Sequence, residues 1–305
     1  MTPSTPPAGA GSTEQAGARR RPLGRPRSGV WRVAIVTRIL PVALGFDDAV
    51  REAGHEPVAL MTVRDLANRY GPVGDVGSLL ASLPPHLDVL LPSGRDRLAP
   101  LLESVRPDLV VCMGFPWKVP ADALAVPPLG WLNGHPSLLP RHRGPIPIAW
   151  AIRDGDERVG ISFHRMDVEL DTGPVLAQRA YPVGDYLPPD EFYGGMGPLV
   201  MQVFAEALER LGAGDEGTVQ EGGDYQGFFT AGDAWLDLAR PARELHRLVW
   251  AWRYALAPGD GPAGALLELD GETVRVLASS LEARAGARGV ECADAPLWLV
   301  ETEPV

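Results

Sequence analysis

Trp131-Leu132-Asn133-Gly134-His135-Pro136-Ser137-Leu138-Leu139-Pro140 is the stretch on which the reading of this chain turns. It opens by closing a short apolar run, Gly130 to Asn133, of the kind that makes a buried strand. An amide at Asn133 and an imidazole at His135 then sit at that strand's carboxyl end. Leu138, Leu139 and Pro140 suit an apolar wall and a rigid turn. A carboxylate comes later, in Asp171-Thr172-Gly173-Pro174, where Gly173 marks a turn.

The flanks repeat the pattern of buried strand and amphipathic helix. Trp31 to Thr37, Pro57 to Thr62, Leu87 to Leu91 and Asp108 to Met113 read as strands, rich in β-branched and aliphatic residues. Helical spacing covers 45–54, 76–83, 98–105 and 121–125, then Pro145 to Arg153 with prolines confined to the first turn. This alternation predicts a doubly wound, mostly parallel, Rossmann-like α/β sheet. Val159–Met166 and Val175–Val183, joined by a turn over Asp167 to Pro174, add two antiparallel strands, so the sheet is mixed. A long helix is expected over 190–213, ended by Gly212 and Gly214. In open α/β sheets ligands gather beyond the carboxyl ends of the strands, which places the loop Gly114–Pro120 on the same side as Asn133 and His135. No glycine-x-glycine-x-x-glycine comes after the first strand, and Gly71 to Gly77 reads as a loop rather than a phosphate cradle.

Four segments are expected: a disordered tail over 1–29, the α/β domain over 30–213, an acidic, glycine-rich linker over 214–227, and a small, mostly β domain over 228–305. In the last, Pro241 to Tyr254 reads as a helix. Asp270-Gly271 reads as a hairpin turn between strands Ala265–Leu269 and Thr273–Ala278, with further strands at Gly289–Cys292 and Leu297–Val300.

The net charge of -11 over 305 residues argues against broad nucleic-acid binding, which needs lysine and arginine to neutralise phosphates. No apolar run reaches the ~18 residues of a membrane span. The two cysteines, Cys112 and Cys292, lie far apart, so neither a disulfide framework nor a cysteine zinc site is expected, and a reducing cytoplasm fits. No histidine-x-x-x-histidine or cysteine pair is spaced to hold a metal. Lys118 is the sole lysine.

The asparagine-x-histidine pair at Asn133 and His135, the serine-leucine-leucine-proline at Ser137 to Pro140 and the aspartate-x-glycine at Asp171 to Gly173 resemble the pattern of the folate-dependent formyltransferases. The resemblance covers residues 31 to 213 well and the rest weakly. It implies 10-formyltetrahydrofolate as donor and Asn133, His135 and Asp171 as catalytic residues. It also implies a pterin held largely by two loops, here Phe115, Pro116, Trp117, Lys118 and Val119 on one side and Val168, Glu169 and Leu170 on the other, with Leu138 in the wall. Formyl transfer needs an oxyanion stabilised and protons moved between nitrogens. His135 can do either, given an ordinary pKa near 6.5. Asn133 can offer an amide N–H to the formyl oxygen or a carbonyl to the nucleophile; its bland alternative is a turn cap. Asp171 beside His135 would favour the imidazolium; its alternative is a turn aspartate. Lys118 can attract the folate glutamate or simply be solvated. Asp167 reads as a turn residue and His164 as structural. Ser137 lies too close in sequence to His135 for a serine–histidine pair. Arg141, His142 and Arg143 read as a solvated loop or as a face for an anionic acceptor.

The formyltransferase domain with a linker and a small β domain after it is similar to the methionyl-tRNA formyltransferases. The acidic balance, with Asp233, Asp237, Asp260, Glu268, Asp270 and Glu272 in the second domain, points away from tRNA. The expectation is therefore a small-molecule amine acceptor in specialised metabolism, with no nucleic-acid or membrane partner and a homodimer left open. A hydrolase of the same donor and a folate-binding module without transfer are the rivals. Phe228, Phe229, Trp235, Trp250, Trp252 and Tyr254 are candidates for an acceptor wall, or for core.

Overall fold

Seven short strands, apolar on both faces at the centre, make one sheet in a computed structural model that describes residues 29–63, 76–183, 188–255 and 264–305. They are β1 (Arg32–Val36), β2 (Glu56–Met61), β3 (Asp88–Leu90), β4 (Leu109–Cys112), β5 (Trp131–His135), β6 (Arg158–Arg165) and β7 (Val175–Pro182). Their order is β3-β2-β1-β4-β5-β6-β7. Pairs from β3 to β5 are parallel; β5–β6 and β6–β7 are antiparallel. The order reverses between β1 and β4, and at that switch point the loops leaving neighbouring strands diverge and open a crevice.

Period-two alternation divides the core between the faces. Val33, Ile35, Val111 and Leu132 pack under α1 (Leu40–Glu52), α5 (Pro147–Asp154) and α6 (Pro189–Gly212). Ala34, Val36, Val110 and Trp131 face α3 (Leu98–Val105) and α4 (Ala121–Leu124). α2 (Val76–Ser82) precedes β3. The aromatic knot of the first layer joins α1, β6 and α6: Phe46 and Phe204 centroids lie 4.6 Å apart, and Phe163 and Phe204 lie 5.2 Å apart. α1 begins at Leu40, five residues before the apolar spacing suggested, because Pro41 fits a first helical turn in which no residue before Ala43 is fully buried.

The second sheet is antiparallel, in the order β10-β11-β9-β8. It comprises β8 (Ala265–Leu269), β9 (Glu272–Ser280), β10 (Arg288–Glu291) and β11 (Pro296–Pro304). The β8–β9 turn has Asp270 at φ 55° and Gly271 at φ 86°, the left-handed pair that a two-residue hairpin requires. α7 (Ala242–Tyr254) lies between this sheet and α5. Phe229 and Trp252, with ring centroids 5.2 Å apart, are buried in that joint, which makes them core rather than acceptor wall.

Residues 214–227 do not form a free linker. Thr218 and Val175 exchange backbone hydrogen bonds of 2.8 Å, and Gln226 donates its backbone N–H to the Arg143 carbonyl at 2.8 Å. The acidic, glycine-rich composition hid this, because a strap held mainly through backbone groups leaves no hydrophobic periodicity. The expectations for the tail up to residue 28 and for the glycine-rich stretch up to residue 75 lie outside the described residues. Among those described, no helix is long and apolar enough to cross a membrane.

Candidate active site

Asn133 and His135 are two apart on β5, so they share a face. On that face Asn133 is directly opposite His164 in the antiparallel register with β6. Asp171 reaches the same point from the turn between β6 and β7, in left-handed backbone at φ 58°. Gly173 is what allows this turn to close: a Cβ there would overlap the carbonyl oxygen of Arg165.

Asp171 is the hub. Its Oδ1 accepts from Asn133 Nδ2 at 3.3 Å and faces His135 Nδ1 and His164 Nε2, each at 3.6 Å. Its Oδ2 accepts from the Gly144 N–H at 3.0 Å. His164 Nδ1 donates to the Arg165 carbonyl at 2.9 Å, so its Nε2 accepts from Asn133 Nδ2 at 3.1 Å. The Asn133 amide nitrogen is thereby engaged by its neighbours. Of the two groups considered for a ligand, the N–H is taken up in this way and the carbonyl oxygen is the one left to meet it. His135 Nε2 donates to the His142 carbonyl at 2.9 Å.

Burial would raise the Asp171 pKa, but His135, His164 and the Gly144 N–H outweigh it and hold the carboxyl down at about 2. His135 is lowered from 6.5, by burial first, with Asp171 and the His142 carbonyl opposing. At neutral pH the pair is a carboxylate beside a neutral imidazole that carries its proton on Nε2.

These groups open onto a cavity of about 1040 Å³. Its walls come from the carboxyl ends of β1, β4 and β5, the first half of α6, residue 225 of the strap and residue 228 just after it. Phe115, Pro116, Trp117, Lys118 and Val119 line one side; Glu169 and Leu170 line another. Phe115 and Trp117 meet edge to face at 5.5 Å, and Lys118 Nζ stands 3.7 Å from Glu169 Oε2, joining the two loops. Cys112 also lines the cavity, and burial pushes its thiol up to about 12, so it stays protonated and inert.

Two residues expected at the donor do not line this cavity. Leu138 packs over Gly160 of β6, where a Cβ would strike it, and Val168 is exposed outside the lining. Asp167 accepts from the Glu169 N–H and the Thr172 hydroxyl at 3.1 and 2.8 Å, fixing the turn. Ser137 donates to the Arg141 carbonyl at 2.8 Å, away from His135. The loop after Pro140 is solvated at Arg141, as expected, but not at His142 and only partly at Arg143. His142 is buried, while Arg141 pairs with Asp156 and Arg143 Nη2 donates to Gln220 Oε1 at 2.9 Å.

Sequence reasoning missed two contributors. His164 was readable as structural only, since its role depends on β5–β6 register. Gln220 Nε2 donates to the carbonyls of Asp171 and Gly173 at 3.0 and 2.7 Å, a contact that nothing local signals. Of the aromatic candidates, Phe228 and Tyr254 line the cavity, joined by Tyr193 and Tyr225. Trp235 is exposed, and Trp250 is half-buried beneath Arg253 at 4.9 Å. Among the described residues no group of three His, Cys, Asp or Glu is arranged to hold a metal ion.

The family model described as formyl transferase matches residues 93–193. A methionyl-tRNA formyltransferase of Roseiflexus sp. (strain RS-1) is 34% identical over 205 residues, 64% of this chain and 57% of that protein. One from Halorhodospira halophila (strain DSM 244 / SL1) is 35% identical over 242 residues, 76% of this chain and 74% of that protein. The fold matches a sugar N-formyltransferase from Shewanella sp. FDAARGOS_354 with a TM-score of 0.60 at 21% identity, covering 83% of this chain and 99% of that one.

Proposed function

The chain belongs to the folate-dependent formyltransferases, and on that footing we propose that it moves a formyl group from 10-formyltetrahydrofolate to an amine or hydroxylamine of a small molecule in specialised metabolism. What supports transfer is the convergence of Asn133, His135 and Asp171 on a single cavity with two facing loops beside it. A flat, polar-edged pterin suits those loops, since Phe115 and Trp117 offer apolar surface and the backbone of 115–119 and 169–171 offers hydrogen bonds.

The donor supplies the formyl carbon; the protein supplies orientation and proton handling. The Asn133 carbonyl accepts a hydrogen bond from the attacking amine and aligns its lone pair. His135 receives a proton at Nδ1, where Asp171 stabilises the imidazolium that forms. The same proton is then available to the departing nitrogen. Asp171 keeps its charge throughout, because its pKa of about 2 lies far below working pH.

A small-molecule acceptor is supported by the charge of -11 and by the aromatic side of the cavity, formed by Tyr193, Tyr225, Phe228 and Tyr254. An amino sugar, an amino-acid side chain or a hydroxylamine of a peptide natural product would suit that surface. The second reading, a tRNA acceptor, is favoured by the Roseiflexus and Halorhodospira relatives. Mass spectrometry of candidate amines incubated with protein and 10-formyltetrahydrofolate tests the proposal. Gain of one formyl group on a small amine supports it. Formylation of methionyl-tRNA alone refutes it in favour of the second reading. Tetrahydrofolate release without any amine indicates a hydrolase, and binding without turnover indicates a folate-binding module.

A further inference from the structure

His142, Arg143 and Gly144 touch both members of the His135–Asp171 pair. The His142 carbonyl accepts from His135 Nε2 at 2.9 Å, and the Gly144 N–H donates to Asp171 Oδ2 at 3.0 Å. Any shift of this segment disturbs both groups together. Yet His142 sits at φ 54°, left-handed backbone that costs a non-glycine residue ~1 kcal/mol or more. Something must hold it there.

The side chain of His142 supplies the hold. It is buried, with Nε2 2.9 Å from Asp156 Oδ2 and Nδ1 2.8 Å from Gln226 Oε1. Asp156 comes directly after Gly155, the left-handed residue that ends α5, and also pairs with Arg141. Gln226 belongs to the strap, and a Cβ on Gly144 would overlap its carbonyl oxygen. Two separate parts of the chain thus grip one imidazole whose own carbonyl faces His135.

A carbonyl only accepts, so His135 must keep its proton on Nε2 while this contact lasts. Nδ1 is then the nitrogen left to exchange a proton beside Asp171. We propose that Asp156, His142 and Gln226 form a positioning relay that sets the tautomer of His135 and aims its Nδ1 at the reacting groups. The relay rests on the reading of His135 as the acid–base group. The charged and titratable groups facing His135 are Asp171, His164 and His142.

Asp156→Asn, Gln226→Leu and His142→Phe test the relay, with ¹⁵N NMR of histidine-labelled protein as the first readout. The parent is expected to show His135 as the Nε2–H tautomer, and the variants a mixture with Nδ1–H. Turnover is expected to fall roughly 10- to 100-fold with little change in donor KM. The acid limb of the kcat profile should move by about half a pH unit or more. Asp156→Glu, which keeps the carboxylate, should recover part of kcat. An unchanged tautomer and acid limb in folded Asp156→Asn overturn the relay, even if kcat drops, since a purely structural network would give that result. Should His142→Phe fail to fold, the other two variants decide. The NMR readout needs no turnover, so failure of the relay is distinguishable from failure of the transfer reading.

Discussion

Replacing Asp171 by Asn keeps the side chain's shape and, through its single carbonyl oxygen, its acceptance of the Gly144 N–H; it removes the charge opposite His135 and the acceptor for Asn133 Nδ2. Two unit charges 3.6 Å apart, as Asp171 Oδ1 and His135 Nδ1 are, attract by roughly 4–5 kcal/mol at an effective dielectric of about 20. The net effect already includes desolvation: holding Asp171 at about 2 instead of 3.8 corresponds to roughly 2–3 kcal/mol, shared among His135, His164 and Gly144. The imidazolium formed during transfer should therefore lose between these amounts, which makes kcat fall ~10²- to 10³-fold. Donor KM should change little, because the backbone groups of 115–119 and 169–171 offered to the pterin are the same in both proteins. The assay is tetrahydrofolate release under saturating donor and acceptor, with KM measured for each. A kcat within a few-fold of the parent, accompanied by a large rise in donor KM, would make Asp171 a binding group and refute the reasoning.

His135→Ala is expected to lower turnover at least ~100-fold, the usual scale for losing an acid–base group; normal turnover would remove His135 from the mechanism. Gly173→Ala should destabilise the fold by more than about 2 kcal/mol in urea denaturation, since its Cβ would overlap the Arg165 carbonyl. Unchanged stability would show that the turn can relax. His246, whose Nδ1 lies 2.8 Å from the Ser279 hydroxyl, is lowered from 6.5 to about 4, mainly by burial and then by Arg243 and Arg247. A depressed histidine favours the folded state above 6.5, and that contribution is lost as pH falls towards 4, up to roughly 3 kcal/mol. Denaturation midpoints measured across that window should fall with pH, and less steeply in His246→Gln; equal slopes would contradict the assignment.

The order of strands and helices was legible because each buried strand is a short aliphatic run and each helix carries its own apolar stripe. Asn133, His135 and Asp171 were legible as a motif, but not their hydrogen bonds. Which Asn133 atom faces a ligand depends on His164, and that contact exists only because β5 and β6 pair in one register. Leu138 stays outside the cavity lining for a related reason: its motif gives a hydrophobic position but not the strand residue it packs on, and Gly160 opens room for it on β6. Residues 214–227 have the composition of a linker because glycine and acidic residues carry no periodicity, whereas their backbone and two glutamines do the attaching. The linker boundary is where local pattern was least informative and tertiary contact most decisive.

That attachment bears on protein engineering. Chimaeras between relatives are tempting to splice where the long helix ends, near residue 214. A junction there would bring in foreign counterparts of Gln220, whose amide caps the Asp171–Gly173 turn, and of Tyr225, which borders the cavity. A crossover placed after Gly227, whose carbonyl accepts from Trp150 Nε1 at 2.8 Å, carries the strap with its own catalytic half and exchanges residues from Phe228 onward, including the Phe228 and Tyr254 side of the cavity, with the α7 helix and the antiparallel sheet.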